Sequence, residues 1–99
     1  MDYNLEFTDE HGVKNKWNIT VYALSTCGFC KRGLEFLRKN SIKFRYVYVD
    51  LLPFEVKDKL KEDLEAKYKA RIGFPYLVKD EKKVIVGFSQ EEWEREFNE

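Results

Sequence analysis

The sequence predicts a single α/β domain over residues 1–99: a four-stranded mixed sheet flanked by helices, with an added β-hairpin at the N-terminus. Three observations carry this. Two β-rich runs, Ile19–Leu24 and Phe44–Asp50, are separated by a stretch of helical period, which makes a parallel strand–helix–strand unit with a right-handed crossover. Two later runs, Arg71–Val78 and Lys83–Gly87, flank the charged turn Lys79–Lys83 and read as a hairpin. Ser89-Gln90-Glu91-Glu92 is a capping box that opens a last helix.

Taken in order, Tyr3–Thr8 alternates apolar Tyr3, Leu5 and Phe7 with polar Asn4, Glu6 and Thr8, then turns through Asp9-Glu10-His11-Gly12 into Val13–Trp17. This is the expected hairpin, residues 1–16, and its expected role is to cover a sheet edge, with His11 solvated in the turn. Ile19–Leu24 is apolar on both faces, as a central parallel strand requires. From Cys27 to Asn40 the apolar positions Cys30, Gly33, Leu34 and Leu37 recur at helical spacing, and Arg38 and Lys39 suit the negative end of the helix dipole. Gly33 costs about 1 kcal/mol in an exposed helix interior, so close packing against the sheet is expected there.

Phe44–Asp50 places Phe44, Tyr46, Tyr48 and Asp50 on one face and Arg45, Val47 and Val49 on the other. Pro53–Ala70 is a charged amphipathic helix with its apolar stripe at Val56, Leu60, Leu64 and Tyr68, and Glu65–Lys69 is a candidate pair on its solvated face. Pro75 cannot donate to a ladder, so it belongs at the start of its strand, where a cis peptide fits. Phe88 and Trp93 occupy hydrophobic-staple positions around the last cap, and Trp93 and Phe97 face the sheet.

The chemistry-bearing stretch is Ser25-Thr26-Cys27-Gly28-Phe29-Cys30-Lys31. It holds both cysteines of the chain, at C-x-x-C spacing, where a strand passes into a helix. The first thiol sits at a helix N-terminus, where unpaired N–H groups and the dipole favour a thiolate, and Lys31 and Arg32 add positive charge. Cys30 is then the inner, resolving thiol. A zinc site would need about four ligands, and His11 is the one further nitrogen of its kind in the chain. A redox pair is therefore favoured over a metal site, and no metal ligand is assigned.

The charges balance, 18 basic against 18 acidic residues, which argues against nucleic acid or an anionic membrane as the main partner. The six tyrosines and eight phenylalanines form no basic, interleaved stripe of the kind that stacks on bases, and read as core and sheet-face residues. No run approaches the roughly 20 apolar residues of a membrane span, and the N-terminus lacks the pattern of a secretory signal. The expected setting is the cytoplasm, where a disulfide is more often catalytic than structural.

The element order, the C-x-x-C opening the first helix, Phe74-Pro75 and Gly87 before the last helix together resemble the glutaredoxin branch of the thioredoxin fold over residues 17–99. The resemblance implies that Cys27 attacks a substrate disulfide, that Cys30 resolves the mixed disulfide, and that the Phe74 backbone pairs with the substrate. It places further substrate contacts at Gly28, Phe29, Lys31, Arg71, Pro75, Gly87, Phe88 and Ser89. It implies a monomer that reduces disulfide-containing proteins or small molecules, requires no cofactor beyond its redox-active disulfide, and is re-reduced by glutathione or by a flavoprotein thioredoxin reductase.

Three departures weigh against glutathione. Leu24 stands where many glutaredoxins carry a lysine, Gly73-Phe74-Pro75 replaces Thr-Val-Pro, and Gly87-Phe88-Ser89-Gln90 replaces a double-glycine, aspartate-rich helix start. The Gly-Phe start looks like that of NrdH-type redoxins. Lys31, Lys69 and Arg71 still make an anion site if the fold brings them together beside Phe74-Pro75. Cys-Gly-Phe-Cys is also one residue from the Cys-Gly-Phe-Ser of monothiol glutaredoxins, which implies the alternative of a glutathione-dependent iron–sulfur cluster-binding module.

Overall fold

In the computed structural model, which describes residues 3–98, the chain forms a five-stranded sheet of order β1-β3-β2-β4-β5. Met1, Asp2 and Glu99, included in the expected domain bounds, lie outside the described residues. The elements are β1 (Thr8–Glu10), β2 (Ile19–Ala23), α1 (Gly28–Lys39), β3 (Phe44–Tyr48), α2 (Phe54–Tyr68), β4 (Tyr76–Lys79), β5 (Lys83–Val86) and α3 (Gln90–Phe97). β2 and β3 are parallel, while β1–β3, β2–β4 and β4–β5 are antiparallel.

Every residue of β2 is buried, the polar Thr20 included, as its mainly apolar, β-branched run favours. Its alternate side chains enter two cores. Ile19, Val21 and Ala23 meet Leu34 and Leu37 of α1 and Trp93 and Phe97 of α3; Tyr22 meets Val47, Tyr76 and, from α2, Leu60 and Leu64. Leu60 and Leu64 are 0% and 1% exposed, each such burial contributing about 1.5–3 kcal/mol. The expected faces of β3 are observed: Phe44, Tyr46 and Tyr48 turn to the first core, Val47 and Val49 to the second.

The N-terminal extension lies along the sheet edge as expected, and its pairing is specific. Thr8–Glu10 adds a fifth strand on β3, in register Asp9↔Arg45, while the second arm joins the body through a bridge between Lys14 and Ile42. Tyr3, Leu5 and Phe7 pack on the second core, with Phe7 edge-on to Tyr22 at 6.0 Å. The edge of β3 has more to offer an incoming strand than the other arm does, because its N–H and C=O groups are already aligned.

Two packing expectations are corrected. Gly33 packs against the last helix and not the sheet: a Cβ there would lie 2.9 Å from the Trp93 ring. Glu65 does not pair with Lys69, which leaves the helix in a left-handed conformation (φ 54°); its carboxylate accepts the Ile72 N–H at 2.7 Å and so pins the loop entering β4. The strands are also shorter than the runs that announced them, β4 starting after Pro75 and β5 ending before Gly87. The cap of α3 is as expected, with the Glu92 N–H donating to Ser89 Oγ at 3.3 Å and the Phe88 and Trp93 rings 4.9 Å apart.

Candidate active site

The β2-to-α1 turn sets both sulfurs. Cys27 has extended backbone (φ −96°, ψ 120°) and is the N-cap, its Sγ accepting the Cys30 N–H at 3.2 Å. That contact and the free N–H groups of the first turn stabilise negative charge on Sγ. Cys27 is half-buried, so a disulfide can reach it. Cys30, one turn deeper, is 0% exposed.

The Leu24 N–H donates to Cys30 Sγ at 3.4 Å. This eases the thiolate, yet burial, seconded by the hydrogen bond with Cys27, pushes the Cys30 thiol up from 9.0 to about 12. At neutral pH the inner sulfur keeps its proton. The two cysteines, both free thiols, thus have distinct settings: Cys27 half-buried at the helix cap, Cys30 fully buried with its thiol pushed up.

Asp50 holds the turn from the side. It follows β3, and its carboxylate accepts the Ser25 N–H at 2.8 Å and the Ser25 hydroxyl at 2.5 Å. The hydroxyl bond keeps the Asp50 carboxyl below its usual range, against the opposing effect of burial. Sequence reasoning placed Asp50 on a strand face and gave it no role. The signal that finds it is topological: parallel neighbours β2 and β3 end side by side, which brings a carboxylate just past β3 to the loop just past β2.

The other wall precedes β4. The last pair of the β2–β4 ladder is Tyr22↔Tyr76, so Phe74-Pro75 lies at the same end of the sheet as the Leu24–Cys27 turn. The Phe74–Pro75 peptide is cis. Pro75 is buried and its carbonyl accepts the Gly87 N–H at 2.8 Å, while the Gly87 carbonyl accepts Trp93 Nε1 at 3.1 Å. Gly87 has φ +83°, a conformation that favours glycine.

A protein-family model described as Glutaredoxin matches residues 19–84. The chain belongs to the glutaredoxin family. Solved structures agree: a glutaredoxin from Methanosarcina mazei Go1 superposes with TM-score 0.78 at 27% identity, covering 94% of this chain and 88% of its own. Methanoredoxin from Methanosarcina acetivorans gives 0.77 at 30% identity, covering 89% and 90%. A glutaredoxin from Archaeoglobus fulgidus gives 0.70 at 29%, covering 85% and 89%. No curated protein matches the chain significantly. Membership makes this glutaredoxin-family chain a thiol–disulfide oxidoreductase in general terms, on a thioredoxin-like fold.

Around the pair, the expected contact residues fall into two groups. Gly28 opens α1 with empty space where a Cβ would stand, Phe29 is 54% exposed, and Lys31 and Arg71 are exposed. Phe74 is half-buried between the two cores. Phe88 and Ser89 are engaged within the fold, the ring against Phe36 and Trp93 and the hydroxyl in the α3 cap. Lys31 lines a cleft on the β3 side of Cys27 together with Arg38 and Tyr48, whereas Arg71 belongs to the loop entering Phe74-Pro75 on the β4 side. Among the described residues no three His, Cys, Asp or Glu side chains gather where a metal ion could sit.

Proposed function

We propose that this glutaredoxin-family protein is a dithiol oxidoreductase that reduces protein or small-molecule disulfides through Cys27 and Cys30. The observation that carries this is the difference between the two sulfurs: Cys27 half-exposed at the helix cap, Cys30 buried with its thiol pushed up to about 12. Cys27 thiolate attacks one sulfur of the substrate disulfide; the substrate S–S bond breaks, a Cys27–substrate disulfide forms, and the departing thiolate takes a proton from solvent. Cys30 then attacks Cys27 Sγ, its proton passing to the second substrate sulfur as that leaves. The substrate gains two electrons and the enzyme is left as the Cys27–Cys30 disulfide, restored by an external thiol reductant.

For that reductant a flavoprotein of the thioredoxin-reductase type is preferred to glutathione. Support comes from Leu24 at the expected cation position, from the Ser89 hydroxyl already used by Glu92, and from Glu91 and Glu92 in the first turn of α3, which repel a carboxylate by roughly 0.3–1 kcal/mol each. The reading further takes the protein as a cytoplasmic monomer acting on disulfide-containing proteins, without nucleic acid or membrane. The cluster-binding alternative fits less well: a cluster takes about four sulfur ligands, and this pair supplies two, one of them buried and protonated.

The test is thiol-trapping mass spectrometry with insulin reduction, driven first by glutathione plus its reductase and then by thioredoxin reductase plus NADPH. Cys27→Ser abolishes turnover and Cys30→Ser accumulates a mixed disulfide at Cys27. A mixed disulfide at Cys30 in the wild type, or a brown, cluster-loaded protein without disulfide reduction after anaerobic purification, overturns the reading.

A further inference from the structure

Cys27 stands between two walls of the sheet's end. The order β3-β2-β4 puts Phe74-Pro75 on one side of the reacting sulfur and β3 on the other. On the β3 side a cleft of about 410 Å³ opens on Cys27 and runs along α1, lined by Lys31, Leu34, Glu35, Arg38 and Tyr48. From the cap at Cys27 to Arg38 the helix rises about 16 Å, which an extended chain covers in about five residues.

Tyr48 lines the cleft, and two further rings stand behind it. Tyr48 meets Tyr46 edge-on at 5.3 Å, Tyr46 meets Phe44 at 6.0 Å, and the Arg38 guanidinium stands 5.8 Å and 5.9 Å from the last two rings. Burial, with Tyr46 beside it, raises the Tyr48 hydroxyl above its ordinary range, in keeping with a partly enclosed position.

The charges along the wall are unequal in availability. Arg38 is committed: Glu10 of β1 binds its Nη2 at 2.9 Å and closes the far end. Lys31, one turn from Cys27, makes no ion pair or hydrogen bond among the described residues. Glu35, one turn further, repels any anion that moves deeper. The cleft therefore offers one uncommitted cation, Lys31, near the reacting sulfur, with the Tyr48 ring also in its lining.

We propose that this cleft holds the polypeptide flanking the substrate's disulfide cysteine, and that Lys31 selects substrates with an acidic residue beside that cysteine. The inference rests on the dithiol reading above, since the occupant must deliver a sulfur to Cys27. A polypeptide is the occupant because the cleft runs from Cys27 to Arg38 with Lys31, Glu35 and Arg38 spaced along it, and a small thiol fills one end of it.

The experiment compares two synthetic peptide disulfides that differ in Glu or Lys next to the cysteine, with 2-hydroxyethyl disulfide as a neutral reference. The readout is the ratio of kcat/KM for the Glu peptide to that for the Lys peptide, in which any change in Cys27 reactivity cancels. Wild type favours the Glu peptide by about two- to five-fold at low salt, the range of an exposed ion pair, and the ratio falls towards unity at high salt. Lys31→Glu inverts the ratio, and Glu10→Gln raises it by releasing Arg38. Reduction of all three disulfides with a ratio near unity in wild type and Lys31→Glu overturns the cleft assignment while leaving the dithiol reading intact. Failure to reduce any of them overturns the dithiol reading itself. A glutathione mixed disulfide reduced faster than the Glu peptide, with the same dependence on Lys31, makes the occupant a small thiol and also overturns the proposal.

Discussion

Replacing Asp50 by alanine removes the lateral tether of the active-site turn. Two hydrogen bonds are lost, from the Ser25 N–H (2.8 Å) and hydroxyl (2.5 Å) to one carboxylate. A hydrogen bond to a charged group contributes about 1.5–3 kcal/mol net when well buried, but Asp50 is half-exposed and water replaces part of what is lost. The expected cost is about 1–2 kcal/mol for the pair, a fall in Tm of roughly 5–10 °C for a domain of this size. Ser25 is two residues from Cys27, so a slack turn misplaces the sulfur, and kcat/KM for disulfide reduction falls about ten-fold.

The pH dependence has a definite sign. The folded-state Asp50 carboxyl lies below its ordinary 3.8, held by the Ser25 hydroxyl, so the tether's stabilisation is complete above that value and vanishes as pH falls through the folded-state value. Urea unfolding against pH, paired with insulin reduction, reads both effects. Asp50→Asn keeps an acceptor for the Ser25 N–H and retains more stability than Asp50→Ala. Wild-type stability and wild-type kcat/KM in Asp50→Ala at neutral pH would refute the tether.

Three further outcomes are expected. Gly33→Ala brings a Cβ to 2.9 Å from the fully buried Trp93 ring; overpacking of about 1–3 kcal/mol outweighs the helix gain of about 1 kcal/mol, so the urea midpoint falls, and a rise would contradict the packing. Glu96 accepts from Lys79 at 2.8 Å and Lys83 at 2.6 Å; burial alone would raise its carboxyl, but these lysines hold it below 4.5, so its stabilisation is present above that value and Glu96→Gln flattens the loss of stability on acidification. At the alkaline end, burial raises Cys30 from 9.0 and Tyr22 from 10.0 to about 12. Both folded-state values exceed the unfolded ones, so stability is full below about 9 and declines towards 12; Tyr22→Phe makes this decline shallower, and an unchanged slope argues against its titration.

Much of this protein is legible without coordinates because its signals are local. Ile19–Ala23 is β-rich and apolar at all positions but Thr20, which marks an interior strand; Ser89, Glu92, Phe88 and Trp93 carry a helix start in residues a turn apart; Cys27 and Cys30 are three positions apart at the head of a helix-period run. Hydrogen bonding and periodicity act over a few residues, so sequence spacing determines them.

What tertiary structure alone decided lies between segments distant in the chain. The partner of Gly33 is Trp93, the partner of Arg38 is Glu10, and the partner of Ser25 is Asp50. Glu65 turns from a helix-surface pairing to the Ile72 backbone because the left-handed Lys69 swings the chain back over it. Thr8–Glu10 chooses the edge of β3 because that edge was open, a fact no local pattern contains. The cleft beside Cys27 has the same origin: Lys31 and Tyr48 are seventeen positions apart in sequence, and the parallel crossover from β2 through α1 to β3 is what brings them to one sulfur.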